Sequence, residues 1–253
     1  MPEPPHILLM APEASSDVAA ALLAERLMAR HGARISAAGR SALRATGAHM
    51  VQDTSWLGQV GLAAVLASVP LWWEIGRHVV RFVRSERPDA MVLFACRRFH
   101  LIFLGALHGK APPVAWAYPP GDWVQSDDRD EEVLQSAGLF ISAFEWQAAR
   151  LGRQGARVVR VPHHSTLPLP PEASPAEAVA ALPSRPAASP IVGLMPGSRP
   201  DEVRRLMPIL AGALRLLAAD HPGLQAIVSQ APGVRGSRLA RHLGGLPCPH
   251  VVS

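Results

Sequence analysis

The sequence predicts an α/β fold in which parallel sheets carry helices on both faces, and three observations predict it. Short apolar runs of strand length recur near residues 6–10, 33–38, 90–95, 113–117, 139–142 and 157–161. Helical patterns fill most of the intervals, and alternation of this kind is the signature of strand–helix–strand crossovers. The alternation then stops and restarts. From Leu167 to Ser189 prolines recur at 168, 170, 171, 175, 183 and 186, which reads as a semi-rigid linker. After it come a strand at 190–195, a helix at about 200–219, a strand at 224–229, a basic helix at about 234–243 and the start of a further strand at Val251-Val252-Ser253. The expected organisation is a Rossmann-like domain over 1–167, a linker over 168–189, and the first part of a second Rossmann-like domain over 190–253.

In open parallel sheets ligands sit outside the carboxyl ends of the strands, so the turns that follow them are where chemistry is sought. The first strand runs into Glu13, Ser15, Ser16 and Asp17. These residues suit a ligand contact, and equally a helix start in which a serine caps and Asp17 favours the positive end of the helix. The strand at 90–95 runs into Cys96-Arg97-Arg98-Phe99-His100. The arginine pair can hold a phosphate or face water, and His100 is either a base or a satisfied structural residue. Tyr118-Pro119-Pro120-Gly121 before Asp122-Trp123, and His163-His164 after the strand ending at Val161, fall on the same side.

The most informative segment is Ile191 to Val203, a buried strand passing through Pro196-Gly197-Ser198-Arg199-Pro200 into a helix. The first turn of a helix leaves backbone N–H groups unpaired and carries positive partial charge, so a phosphate placed there meets ready donors. Gly197 allows close approach, Ser198 can cap or donate, Arg199 adds charge, and Pro200 suits the first helical position. The alternative is a plain capped turn with a solvated arginine.

Of the 253 residues 49% are hydrophobic and 18% charged, and the formal charge is +5, carried by arginine with Lys110 as the lone lysine. A pI near 10.4 favours anionic partners: phosphorylated lipids, sugar nucleotides or an anionic membrane surface. No basic helix interleaved with aromatics is found, so nucleic acid is not an expected partner. Two distant cysteines, Cys96 and Cys248, argue against a disulfide framework or zinc site and for a reducing cytoplasm, and the start Met-Pro-Glu-Pro-Pro does not read as a signal peptide. No GxGxxG or GxxxxGK[ST] motif occurs, which argues against a nicotinamide cofactor or a P-loop. Neither a cofactor nor a metal is expected. The stretch 57–75 is apolar but interrupted by Gly58, Gln59, Gly61, Ser68 and Pro70, so spanning a membrane is not expected. Trp56, Trp72 and Trp73 beside Arg77, Arg81 and Arg84 make 56–84 either a membrane-interface element or a buried helix pair.

Met195-Pro196-Gly197-Ser198-Arg199 with Glu202-Val203, together with the Glu13, Ser15, Asp17 turn, resembles the lipid-A-disaccharide synthase family of GT-B glycosyltransferases. Weaker matches fall in order between them: Val60-Gly61-Leu62, Arg87-Pro88-Asp89, Pro120 with Trp123, Phe144-Glu145 and Pro162-His163. The resemblance implies a GT-B-like fold, with an acceptor side in the N-terminal domain and a nucleotide-sugar side in the second. It implies transfer of diacylglucosamine from UDP-2,3-diacylglucosamine to 2,3-diacylglucosamine 1-phosphate without a metal, by a peripheral protein on the cytoplasmic face of the inner membrane. It implies substrate or phosphate contacts at Glu13, Ser15, Asp17, His163, Gly197, Ser198 and Arg199; Arg97 and Arg98, where the chain departs from the family pattern, are phosphate candidates on their charge alone. It also implies a deficit, because Ala95 stands where the family places its catalytic aspartate; His100 is the substitute to examine. The resemblance therefore leaves open a non-catalytic relative that binds lipid or sugar phosphate.

Overall fold

A computed structural model describes residues 3–55, 69–119, 130–166, 190–231, 234–246 and 250–252. The chain divides into two units, Met1–Leu167 and Pro168–Ser253. In the first, seven strands form one sheet in the order β3-β2-β1-β4-β5-β6-β7, and all pairs are parallel. The strands are β1 (His6–Met10), β2 (Arg34–Gly39), β3 (His49–Asp53), β4 (Ala90–Phe94), β5 (Val114–Ala117), β6 (Leu139–Ser142) and β7 (Val158–Arg160). Among the described residues six helices accompany them: α1 (Ala14–His31), α2 (Ser41–Ala45), α3 (Val69–Glu86), α4 (Arg97–Ala106), α5 (Asp130–Ser136) and α6 (Glu145–Arg153).

The central strands read as continuous apolar runs because both of their faces are covered. Along β1, Leu8 and Met10 join a cluster with Val79, Val83, Met91, Phe103, Trp116 and Phe140, whereas Leu9 points the other way into Ala20, Ala24, Ile35, Val92 and Phe94. The second cluster is rich in alanine, and the small side chains Ala19, Ala20 and Ala24 let α1 lie close on the sheet. Of the described strands in this sheet only β3 was not anticipated. Its sequence His-Met-Val-Gln-Asp is half polar because it is an edge strand, with Val51 alone fully buried.

The second unit contains β8 (Ile191–Leu194), α7 (Pro200–Asp220), β9 (Gln225–Val228), α8 (Gly236–Leu243) and β10 (His250–Val252). Its parallel sheet has the order β10-β9-β8. Leu194, Ala226 and Val228 meet Val203, Met207 and Leu214 of α7 and Leu239 and Leu243 of α8 in a separate core. Among the described residues this is the arrangement of one half of a doubly wound domain.

Candidate functional site

The strand order reverses between β1 and β4: the chain passes from β1 outward to β2 and β3, then returns to place β4 on the other side of β1. In doubly wound sheets the loops leaving the carboxyl ends of two such strands run to opposite faces, and the crevice between them is the position at which ligands bind. Met10 pairs with Leu93, so the turn carrying Glu13 and Ser15 and the turn carrying Ala95 to Arg98 are neighbours at the rim. Two sequence segments about 80 residues apart thus reach one place.

Glu13 is the N-cap residue of α1. Its carbonyl accepts the Asp17 N–H at 2.9 Å, while its exposed carboxylate makes no capping bond. Ser15 is also exposed. Asp17 has a different task from the ligand contact expected of it. It is 2% exposed, and its carboxylate accepts backbone N–H bonds from Arg40 at 2.7 Å, Ala42 at 2.8 Å and Leu43 at 3.4 Å. It therefore caps α2 from a distance, satisfying the donors a helix start leaves over. Gly39 makes room for it: a Cβ there would lie 2.8 Å from Asp17 Oδ1 and closer still to Leu43 Cδ1.

Beyond β4, Ala95 and Cys96 both adopt left-handed backbone, with φ of 48° and 42°. L-residues pay about 1–2 kcal/mol each for this conformation, and such strain collects at functional turns. Ala95 is pinned on both sides, its N–H donating to the Ala117 carbonyl at 3.0 Å and its own carbonyl accepting Trp116 Nε1–H at 3.0 Å. Cys96 opens α4. Burial, aided by the charge of Glu13, pushes its thiol up to about 12, so it stays protonated. Arg97 is half-buried and Arg98 exposed.

His100 does not reach the crevice as a base. It is fully buried, its Nε2 lies 3.0 Å from the Phe94 carbonyl and must donate to it, and burial lowers its pKa to about 4 against the raising effect of that bond. Its rings of contact are Phe99 and Trp116, at 5.5 and 5.7 Å. It is a neutral core residue, and its complete burial is what the sequence could not show.

Further along the same edge, past β5, β6 and β7, lies a group of rings that sequence reasoning largely missed. Tyr118, left-handed at φ 51°, faces His163 at 5.4 Å and His164 at 5.7 Å; the two imidazoles are 4.2 Å apart, and Phe144 bridges His163 to Trp146. Burial and the neighbouring His163 both lower the pKa of His164. His163 Nδ1 is 2.7 Å from the Ser165 hydroxyl. The signal available was weak: one tyrosine and scattered rings, each after a different strand.

In the second unit the turn after β8 has the anticipated shape, but its amides are taken. Glu202 Oε2 accepts the N–H groups of Ser198 at 2.9 Å and Arg199 at 3.0 Å, and Oε1 lies 3.2 Å from Arg199 Nη1. Although burial opposes ionisation, these two N–H groups and the Arg199 charge hold the Glu202 carboxyl below its ordinary pKa. Gly197, at φ +106°, presses against this carboxylate: a Cβ would stand 2.6 Å from Glu202 Oε2. A phosphate reaching these amides has to displace the glutamate.

Residues 56–68, the Trp72 and Trp73 side chains, Pro120-Gly121-Asp122-Trp123, the expected linker over 168–189 and Cys248 lie outside the described residues. In α3, Arg77, Arg81 and Arg84 are exposed opposite buried Val79, Val80 and Val83. Among the described residues no helix is long and apolar enough to cross a membrane, and no cluster of His, Cys, Asp or Glu could hold a metal.

Two Rossmann-like units, the first with a crevice at its switch point and the second opening on a Gly-Ser-Arg turn, define the class: a GT-B-like α/β protein. Solved structures of that architecture are similar. UDP-N-acetylglucosamine 2-epimerase from Neisseria meningitidis, bound to UDP-GlcNAc, matches with a TM-score of 0.59 over 98% of this chain and 71% of its own, at 11% identity. The glycosyltransferase SnogD from Streptomyces nogalater matches with a TM-score of 0.52 over 98% and 70%, at 19% identity. The model of the lipid-A-disaccharide synthetase family matches residues 7–242. Lipid-A-disaccharide synthase of Myxococcus xanthus is 31% identical over 97% of this chain and 64% of its own length, and that of Geobacter metallireducens 26% identical over 98% and 65%. The chain belongs to the lipid-A-disaccharide synthase family, and spans just under two thirds of the length of these relatives.

Proposed function

We propose that the chain transfers diacylglucosamine from UDP-2,3-diacylglucosamine to 2,3-diacylglucosamine 1-phosphate at the cytoplasmic face of the inner membrane. The observation that carries this reading is the switch-point crevice, where two turns within the span matched by the family model, Glu13 to Asp17 and the turn after β4, converge. The first unit is the acceptor side: Glu13, Ser15 and His163 face the acceptor sugar, and Arg97 and Arg98 its phosphate. The second unit is the donor side. There the diphosphate replaces Glu202 on the Ser198 and Arg199 amides, and Arg199 offsets the charge that develops on UDP as it leaves. The UDP-sugar in the similar Neisseria epimerase supports a nucleotide-sugar donor. Exposed Arg77, Arg81 and Arg84 support an anionic lipid surface along 56–84.

The test is disaccharide formation from synthetic donor and acceptor, with UDP affinity by calorimetry. R199A should weaken UDP binding about tenfold or more, since charge-assisted bonds are worth about 1.5–3 kcal/mol. Equal affinity in R199A and the parent would remove the donor assignment. One observation favours a second reading, a non-catalytic phosphate binder: Ala95 brings no carboxylate to the crevice. UDP binding without product above background would select that reading.

A further inference from the structure

We propose that Glu13 is the catalytic base of this chain, the group that takes the proton from the acceptor hydroxyl. The inference rests on the glycosyl-transfer reading above and supplies the group that reading lacks. The reaction needs one: as the acceptor oxygen bonds to C1 of the donor sugar, the C1–O bond to the diphosphate breaks, its electron pair leaves with UDP, and the hydroxyl proton must go to an acceptor on the protein.

Among the described residues, the crevice at the β1–β4 switch point offers few candidates, and on the β1 and β4 turns the structure disposes of each but one. His100 is buried with Nε2–H committed to the Phe94 carbonyl. The Cys96 thiol is held protonated. Asp17 is 2% exposed and has its oxygens on three backbone N–H groups of the β2–α2 turn. Ala95 has no side-chain acceptor, and Arg97 and Arg98 beyond Cys96 carry positive charge. On the flanking strands, Arg40 follows β2 and Tyr118 follows β5. Glu13 is different in each respect. Its carboxylate is exposed, makes no capping bond, and belongs to the turn directly after β1, whose last residue pairs with Leu93 of β4. Its charge is felt by Cys96 on the opposite rim. The neighbouring clamp through Asp17 holds the start of α1, and hence the Glu13 backbone, against the β2–α2 turn.

Disaccharide formation by the 253-residue chain is compared among the parent, E13Q, E13A and E13D, with donor KM and UDP Kd alongside. Loss of a general base should lower kcat by about 10²–10⁴-fold in E13Q and E13A, leaving KM and UDP Kd within about threefold. Added formate should restore turnover to E13A, where it fills the vacated space, and not to E13Q. E13D should retain more activity than E13Q. Because the side chain is exposed, thermal unfolding should be unchanged in all three. Turnover by E13Q within about tenfold of the parent overturns the role of Glu13 and leaves glycosyl transfer standing, since a lost base costs at least about 10²-fold. No turnover by the parent overturns both.

Discussion

Each unit contains a carboxylate that occupies the backbone amides of a helix start, and the two achieve it differently. Asp17 reaches from α1 to α2 across 23 to 26 residues of sequence and is buried. Glu202 folds back on its own helix across three or four residues, with its side chain 36% exposed. The chemistry is the same, an anion satisfying donors that the helix leaves unpaired. The consequences differ: the long-range clamp fixes tertiary structure and is closed to ligand, whereas the local clamp is accessible and can be exchanged for a phosphate.

Breaking the buried clamp should have the largest effect. D17A strands three N–H groups in a dry site and is expected to cost about 2–3 kcal/mol, read from denaturant unfolding followed by tryptophan fluorescence. D17N, which keeps one acceptor oxygen, should lose less. An effect of D17A under about 0.5 kcal/mol would mean that water replaces the carboxylate without penalty.

The two glycines beside the carboxylates sharpen the contrast. G39A puts a methyl against Asp17 Oδ1 and the Leu43 side chain, so overpacking should cost about 1–3 kcal/mol in the first unit. G197A has an end of a flexible side chain to displace, but at φ +106° it also carries backbone strain of about 1–2 kcal/mol. Combining G197A with E202A should therefore recover only the clash and not the strain. Full additivity, measured by hydrogen exchange in α7, would show that the two residues do not meet.

The smallest effect belongs to E202Q, about 0.5–1 kcal/mol at the start of α7, because an exposed cap competes with water. Its pH dependence has a definite sign. The folded carboxyl ionises below its ordinary pKa of 4.5, so the cap contributes in full above about 4.5 and is lost as pH falls through that value and then through the lower folded one. Exchange of the Ser198 and Arg199 amides should accelerate, relative to E202Q, only in acid.

The same contrast marks what the sequence could disclose. The Glu202 clamp spans three residues and leaves a local pattern, Arg-Pro-Asp-Glu after Gly-Ser, that identifies a helix start, and α7 begins where expected. Strands buried on both faces announce themselves as apolar runs, which is why β1, β4 and β5 were legible. Asp17 looked like a ligand residue because its partners, Arg40, Ala42 and Leu43, belong to a turn whose position depends on strand order. Periodicity does not encode that order. Nor does it encode that His100, polar and near an anion-friendly arginine pair, turns inward beneath Trp116. The short α2 and the half-polar β3 were invisible for a related reason: one-sided burial at an edge leaves too few apolar residues to form a pattern.

An all-parallel sheet sends every strand in the same direction, so the first unit has an entry edge and a ligand edge on opposite sides. The chain enters β1 at the entry edge, where the Pro5 carbonyl accepts the Arg34 N–H at 2.8 Å. A linker joined through the residues that lead into β1 approaches the sheet at that edge. Immobilised on a sensor surface through such a linker, the first unit presents its crevice to the flowing solution, and a fluorophore placed there reports on tumbling without standing in the path of a substrate.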